Sequence, residues 1–183
     1  FKNFITTKKY KLGNKLIPIT LTAIDTGYNP AFDKADNDTD ITIEHIVYEF
    51  VATTQRTIAC RGNDKMKDSI LKEIKVMRKS LLKRRYDVAV SELKDELYVK
   101  IDMAPGTQGE IHFSNKLPDD YFKGIMSEVY AEIMPGKFGW KKIWERNEAL
   151  DTIILARAAA EFIGLPQWGS EVWDDLKKKI NVL

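Results

Sequence analysis

The stretch from Lys15 to Ile24 constrains the fold more than any other part of the chain, because it is apolar on both alternating faces. Such a run fits a strand covered on both sides, as in a parallel or mixed sheet, with Pro18 marking its beginning. Asp25-Thr26-Gly27 ends this strand, and the acid-rich residues from Asn29 to Asp40 predict a loop. Ile43, Ile46, Val47, Phe50 and Val51 follow helical spacing with Asp40 as N-cap, and Thr57 to Arg61 predicts the next strand. Strand, helix and strand in that order make a βαβ unit, so the expected class is α/β: a mixed sheet flanked by helices.

From Arg61 to Arg85 the chain carries ten basic residues against three acids, Asp64, Asp68 and Glu73. Ile70, Leu71, Ile74, Met77 and Leu81 keep a helical apolar stripe through it, which predicts a basic helix. Tyr86 to Val90 predicts a strand, and Ser91 caps a helix that buries Leu93, Leu97, Tyr98 and Ile101. A loop from Ala104 to Gly109 is followed by a short strand, Glu110 to Phe113, and by a helix opened by Asp119 or Asp120. Pro135-Gly136 between two apolar runs predicts a hairpin or a small extension. Asn147 as N-cap and Gly164 as stop bound the clearest helix, and a weakly amphipathic helix lies in the tail, residues 166–183.

With 183 residues, 44% of them hydrophobic, one globular domain over 1–183 is expected. Lys plus Arg number 29 against 27 Asp plus Glu, so any polyanion site must come from local clustering. Cys60 is the lone cysteine, which excludes an internal disulfide and a Cys-rich zinc site. The absence of a membrane-length apolar run or a leader predicts a cytoplasmic protein with no membrane partner, and Phe1 at the start points to a piece of a longer chain.

Two carboxylates stand out by position. Asp25 falls at the carboxyl end of a strand, where open α/β sheets bind ligands and where Gly27 lets a backbone approach phosphate. Its alternative role is to cap the following turn. Asp151 lies in the first turn of the strongest helix, with Leu155 and Ala158 as same-face neighbours, which predicts a carboxylate aimed at the sheet. Its alternative role, shared by Glu148, is to complement the helix dipole. Oxygen ligands without Cys or a His pair suit Mg²⁺ or Mn²⁺ and phosphodiester hydrolysis. His45 and His112 are read as structural, and Asp33, Asp36, Asp38 and Asp40 lack the Gly and Glu of a calcium loop.

The basic run offers Lys65, Lys67, Lys72, Lys75, Arg78, Lys79, Lys83, Arg84 and Arg85 as phosphate contacts, or else a solvated helix face. No aromatics interleave with these charges, which argues against a platform for single strands.

The chain resembles the large terminase subunit of lambda-like tailed phages in its endonuclease domain. The resemblance rests on Ala23-Ile24-Asp25-Thr26-Gly27-Tyr28, Val47-Tyr48-Glu49-Phe50, Arg61-Gly62, Ile111-His112-Phe113 and Arg146-Asn147-Glu148-Ala149-Leu150-Asp151. It implies an RNase H-like fold whose carboxylates hold two divalent ions and cut concatemeric double-stranded DNA. Asp25 matches the family's acid at the end of the central strand, and Asp151 the acid that opens the late helix; Glu148 is a further candidate ligand. The family's other acid, on the first strand, has no counterpart here, so that strand is expected upstream of Phe1, and the chain alone is expected to cut weakly or not at all. Arg61 stands where the family usually has Lys. The implied partners are DNA, the terminase small subunit and the portal or procapsid, in the host cell cytoplasm during virion assembly. The competing expectation is a non-catalytic module that docks DNA or the portal through its basic segment and Trp-containing tail.

Overall fold

A computed structural model describes residues 1–27, 43–78 and 81–180. The acid-rich segment with Tyr28, Asp33, Asp36, Asp38 and the expected N-cap Asp40, and also Lys79, lie outside the described residues. Two compact units emerge, one comprising Phe1–Gly62, Leu71–Val88 and Ala158–Leu183, the other Asn63–Ile70 and Ala89–Arg157. Among the described residues no helix is long and apolar enough to cross a membrane.

The first unit opens with helix α1 (Lys2–Thr7) and the antiparallel hairpin β1 (Lys9–Leu12) and β2 (Lys15–Pro18). Pro18 therefore ends one strand instead of starting the next. It pairs with Lys9 at the end of the ladder, a position where a missing N–H is tolerated. The chain resumes as β3 (Thr22–Asp25), followed after the undescribed segment by α2 (Ile43–Thr53) and β4 (Thr57–Gly62). Next come β5 (Leu71–Arg78) and β6 (Leu81–Val88), and the sheet order is β3-β4-β6-β5. β3, β4 and β6 run parallel and β5 antiparallel, so the sheet is mixed and flanked by helices, consistent with an RNase H-like nuclease fold. β4 is central; Thr57, Ile58, Ala59 and Cys60 are all buried, as a strand covered on both faces requires. β3, in contrast, is an edge strand among the described residues, not the central strand implied by the resemblance.

The basic segment is the largest departure from expectation. It is not a helix but the β5–β6 hairpin, in register from Leu71↔Val88 to Arg78↔Leu81. A period of two replaces a period of 3.6, so Ile74 and Val76 share a half-buried face while Met77, expected in the apolar stripe, is 65% exposed. Arg85 and Lys83, opposite Ile74 and Val76, turn toward α2. Arg85 Nε lies 2.8 Å from Asp87 Oδ1 and its Nη1 3.8 Å from Glu44 Oε1, and Lys83 Nζ lies 3.4 Å from Glu49 Oε1.

The second unit holds α3 (Val90–Ile101), α4 (Asp119–Ile125), the hairpin of β7 (Glu128–Met134) and β8 (Lys137–Lys142), and the first turns of α5 (Glu148–Phe162), which is divided between the units after Arg157. Leu93, Leu97, Ile125, Leu150 and Ile154 are its buried apolar side chains. Ala89, not Ser91, is the N-cap of α3; Ser91 sits inside the first turn with its hydroxyl on the Asp64 carbonyl. Glu110 to Phe113 forms no strand, since alternation without a partner edge leaves the backbone groups unpaired. α5 stops as expected at Gly164, whose φ of 74° is the left-handed conformation that glycine reaches without penalty. A 3₁₀ turn (Leu165–Gln167) and α6 (Ser170–Ile180) complete the chain within the first unit.

Candidate functional site

Asp25 sits at the carboxyl end of β3, paired in parallel register with Cys60 of β4. Beyond it the strand is pinned rather than frayed: the Thr26 N–H and Oγ1 both donate to the Cys60 carbonyl, at 2.7 and 2.9 Å, and Thr26 is buried. The Asp25 side chain is exposed and folds back over Gly27, whose N–H donates to Oδ1 at 2.9 Å. This is the turn-capping role, but one N–H leaves most of a carboxylate's acceptor capacity available to a ligand. Burial, assisted by the Asp25 charge, pushes the neighbouring Cys60 thiol up to about 12, so it stays protonated and is no nucleophile.

Gly27 also leaves the space that the Asp25 carboxylate occupies. A Cβ there would stand 2.6 Å from Asp25 Oδ2, closer than any real contact, and the yielding atom would be the carboxylate. Gly27→Ala should therefore leave the melting temperature nearly unchanged while it turns the Asp25 carboxylate away from the turn; a thermal melt checks this, and a clearly lowered midpoint would show that the backbone yields instead.

Asp151 belongs to the second unit and is exposed, not aimed at a sheet. The buried line of α5 runs through Leu150, Ile154 and Ala158, spaced by four, and Asp151 stands one residue, about 100°, off that line. Its carboxylate is held by Asn147, whose Nδ2 donates to Asp151 Oδ2 at 3.0 Å while its Oδ1 accepts from Lys142 Nζ at 2.8 Å. Asn147 thus acts through its side chain as a bridge from the β8 end to the helix start. Sequence reasoning read it only as a cap, and its i, i+4 spacing to Asp151 was the available signal. Glu148 reaches only Arg146, at 4.0 Å with both about three-quarters exposed, a contact of little energy. It lines a cavity of about 430 Å³ with Trp144, Arg146 and Tyr121.

These donors suit a hard divalent cation in kind, being carboxylate oxygens. They do not make a complete site: among the described residues no group of three or more His, Cys, Asp or Glu is arranged to hold a metal ion. His45 lies 4.0 Å from Glu49 in the first unit and His112 3.0 Å from Glu110 in the second, both in acid pairs rather than with each other.

The nine candidate phosphate contacts are dispersed. Lys65 and Lys67 fall in the second unit, and the rest, apart from the undescribed Lys79, lie on the hairpin. Arg85 and Lys83 are engaged with acids at 13% and 16% exposure, and Lys72, exposed, is in register with Asp87. Lys75 and Arg84 face each other directly on the other side of the hairpin, both exposed, with Arg84 only 3.9 Å from Glu73.

A sequence model of the terminase large subunit gpA endonuclease domain matches residues 4–173. The chain belongs to that family. The match takes in both candidate carboxylates, all three hairpins and every helix but the start of α1 and most of α6, and membership gives the chain a nuclease role in DNA packaging. No curated protein and no solved structure matches the chain.

Proposed function

We propose that this terminase endonuclease domain hydrolyses double-stranded DNA with divalent metal ions, Mg²⁺ or Mn²⁺, and that Asp25 and Asp151 are its ligands to them. The observation that carries the reading is the pair of prepared, exposed carboxylates, one pinned at a strand end by Thr26 and Gly27 and the other oriented by Asn147. Divalent ions held by these carboxylates would supply activation of a water and stabilisation of the leaving oxygen of the phosphodiester. Asp25 and Asp151 hold the charge that retains the ions; Asn147 keeps the Asp151 oxygens in one orientation; Glu148 is an auxiliary ligand. The test is plasmid nicking by the purified chain with Mn²⁺, compared with Asp25→Asn and Asp151→Asn: activity that survives both substitutions overturns the assignment.

Lys75 and Arg84 are the phosphate contacts of this reading. Like charges directly opposed on a hairpin are destabilising by themselves, and a polyanion relieves that repulsion. Lys75→Gln/Arg84→Gln should weaken duplex binding and lower the slope of log affinity against log salt by about 1.8, at roughly 0.9 per phosphate contact. Fluorescence anisotropy with a duplex across a salt series measures it, and an unchanged slope removes the hairpin from the DNA surface. In the packaging machine, the terminase small subunit and the portal are the proposed protein partners.

A further inference from the structure

The loop 63–70 and the β7–β8 hairpin share one cavity of about 560 Å³ in the second unit, and the loop brings Lys65 and Lys67 to it. The hairpin contributes Tyr130, Phe138 and Trp140, together with Lys137. Lys65, Lys67 and Lys137 are exposed and make no ion pair among the described residues. Tyr130 opposes Trp140, and Phe138 opposes Glu132, so the three rings occupy one face of the hairpin. The Tyr130 and Phe138 rings lie within 20° of parallel at 6.3 Å, and each residue is 59% exposed. Trp140 is backed by Tyr98 of α3 at 4.7 Å, which fixes the platform to a helix that buries Leu93 and Leu97.

From this juxtaposition of stacked, exposed rings with three unpaired lysines, we infer that the cavity binds single-stranded DNA, bases on Tyr130 and Phe138 and phosphates on Lys65, Lys67 and Lys137. The inference deepens the nuclease reading by naming a form of its DNA, and rests on that reading only for the polymer. Asp64, Glu92 and Asp95 also line the cavity, so its charge is close to balanced. A duplex, which offers dense phosphate and hides its base faces, gains little from such a wall; an unpaired strand offers the π faces that aromatic side chains take up. The basic segment has no aromatic of its own beside Lys65 and Lys67, and only the fold supplies them.

The experiment is fluorescence anisotropy of a labelled oligothymidylate of about 12 nucleotides in EDTA, with the full chain and an Asp25→Asn background. Binding in EDTA by Asp25→Asn is expected, so loss of the nuclease reading would leave this result standing, and the converse. Tyr130→Ala and Phe138→Ala, at exposed positions, should each weaken binding about 10- to 100-fold. Lys65→Gln/Lys67→Gln should lower the salt slope by about 1.4, at roughly 0.7 per contact for a single strand. Circular dichroism controls for folding, and Phe138→Trp should restore binding. Equal affinity for the matching duplex, unchanged oligothymidylate binding in Tyr130→Ala/Phe138→Ala, or self-association through the hairpin in sedimentation with no oligonucleotide bound, would each overturn the proposal.

Discussion

Glu128→Ala should unfold the second unit at far lower denaturant than any surface substitution, costing about 3–5 kcal/mol. Glu128 Oε2 and Lys94 Nζ meet at 2.6 Å with side chains only 9% and 11% exposed. Two charges so little exposed are held by each other; removing the carboxylate leaves the ammonium without its partner. The pair also joins α3 to the start of β7, where the Tyr98 hydroxyl is 2.9 Å from the carbonyls of both Ile125 and Glu128. Lys94→Met/Glu128→Leu should recover most of the loss, because replacing both members by apolar groups removes the desolvation penalty with the attraction. Urea unfolding monitored by tryptophan fluorescence gives the midpoints. Single and double variants equally stable with wild type would mean that the pair is solvated in solution.

On the proposed reading of Asp25 as a metal ligand, Asp25→Asn should lower Mn²⁺-dependent cleavage about 10³-fold without a measurable change in stability. A ligand to a catalytic ion supplies several kcal/mol of transition-state charge stabilisation, and about 4 kcal/mol corresponds to that factor. Asparagine keeps an oxygen for the Gly27 N–H, and the side chain is exposed, so folding is little affected. Asp151→Asn should match it in size, because the carboxylate sits on the exposed side of a helix whose buried line passes elsewhere. Mn²⁺ should raise the thermal midpoint of wild type by mass action and fail to do so in Asp25→Asn. A variant that cuts at the wild-type rate while retaining the metal-induced stabilisation would assign the chemistry to other groups.

Much of the architecture was legible in local chemistry. α5 begins directly after Asn147, and Gly164 follows its end because the left-handed stop is a property of a single residue and its neighbours. The β7–β8 hairpin followed from Pro135-Gly136 between two apolar runs, and β4 from a run with no polar interruption before Arg61. The segment from Leu71 to Arg85 departs from its helical reading because Leu71, Ile74, Met77 and Leu81 satisfy a helical spacing by chance, while β5 takes its stability from β6 and β6 from β4; the strand read at Tyr86 is the end of β6. The ladder that ties β6 to β4 joins Tyr86 to Cys60, outside the window in which the apolar spacing is read. For the same reason Glu110 to Phe113 alternated without becoming a strand.

The sequence by itself determined the family, the two carboxylate-bearing elements and the residue types at their ends, since these depend on short motifs whose local geometry the backbone enforces. Only the tertiary structure decided that Asp151 faces outward on an Asn147 bracket, that Arg85 and Lys83 answer to α2 instead of solvent, and that Lys65 and Lys67 share a cavity with three aromatic rings over sixty residues away. Exposure and side-chain partnership are set by which surfaces come to cover one another. That is a property of the packed chain, and it is settled by non-local burial and pairing rather than by any residue's own preference.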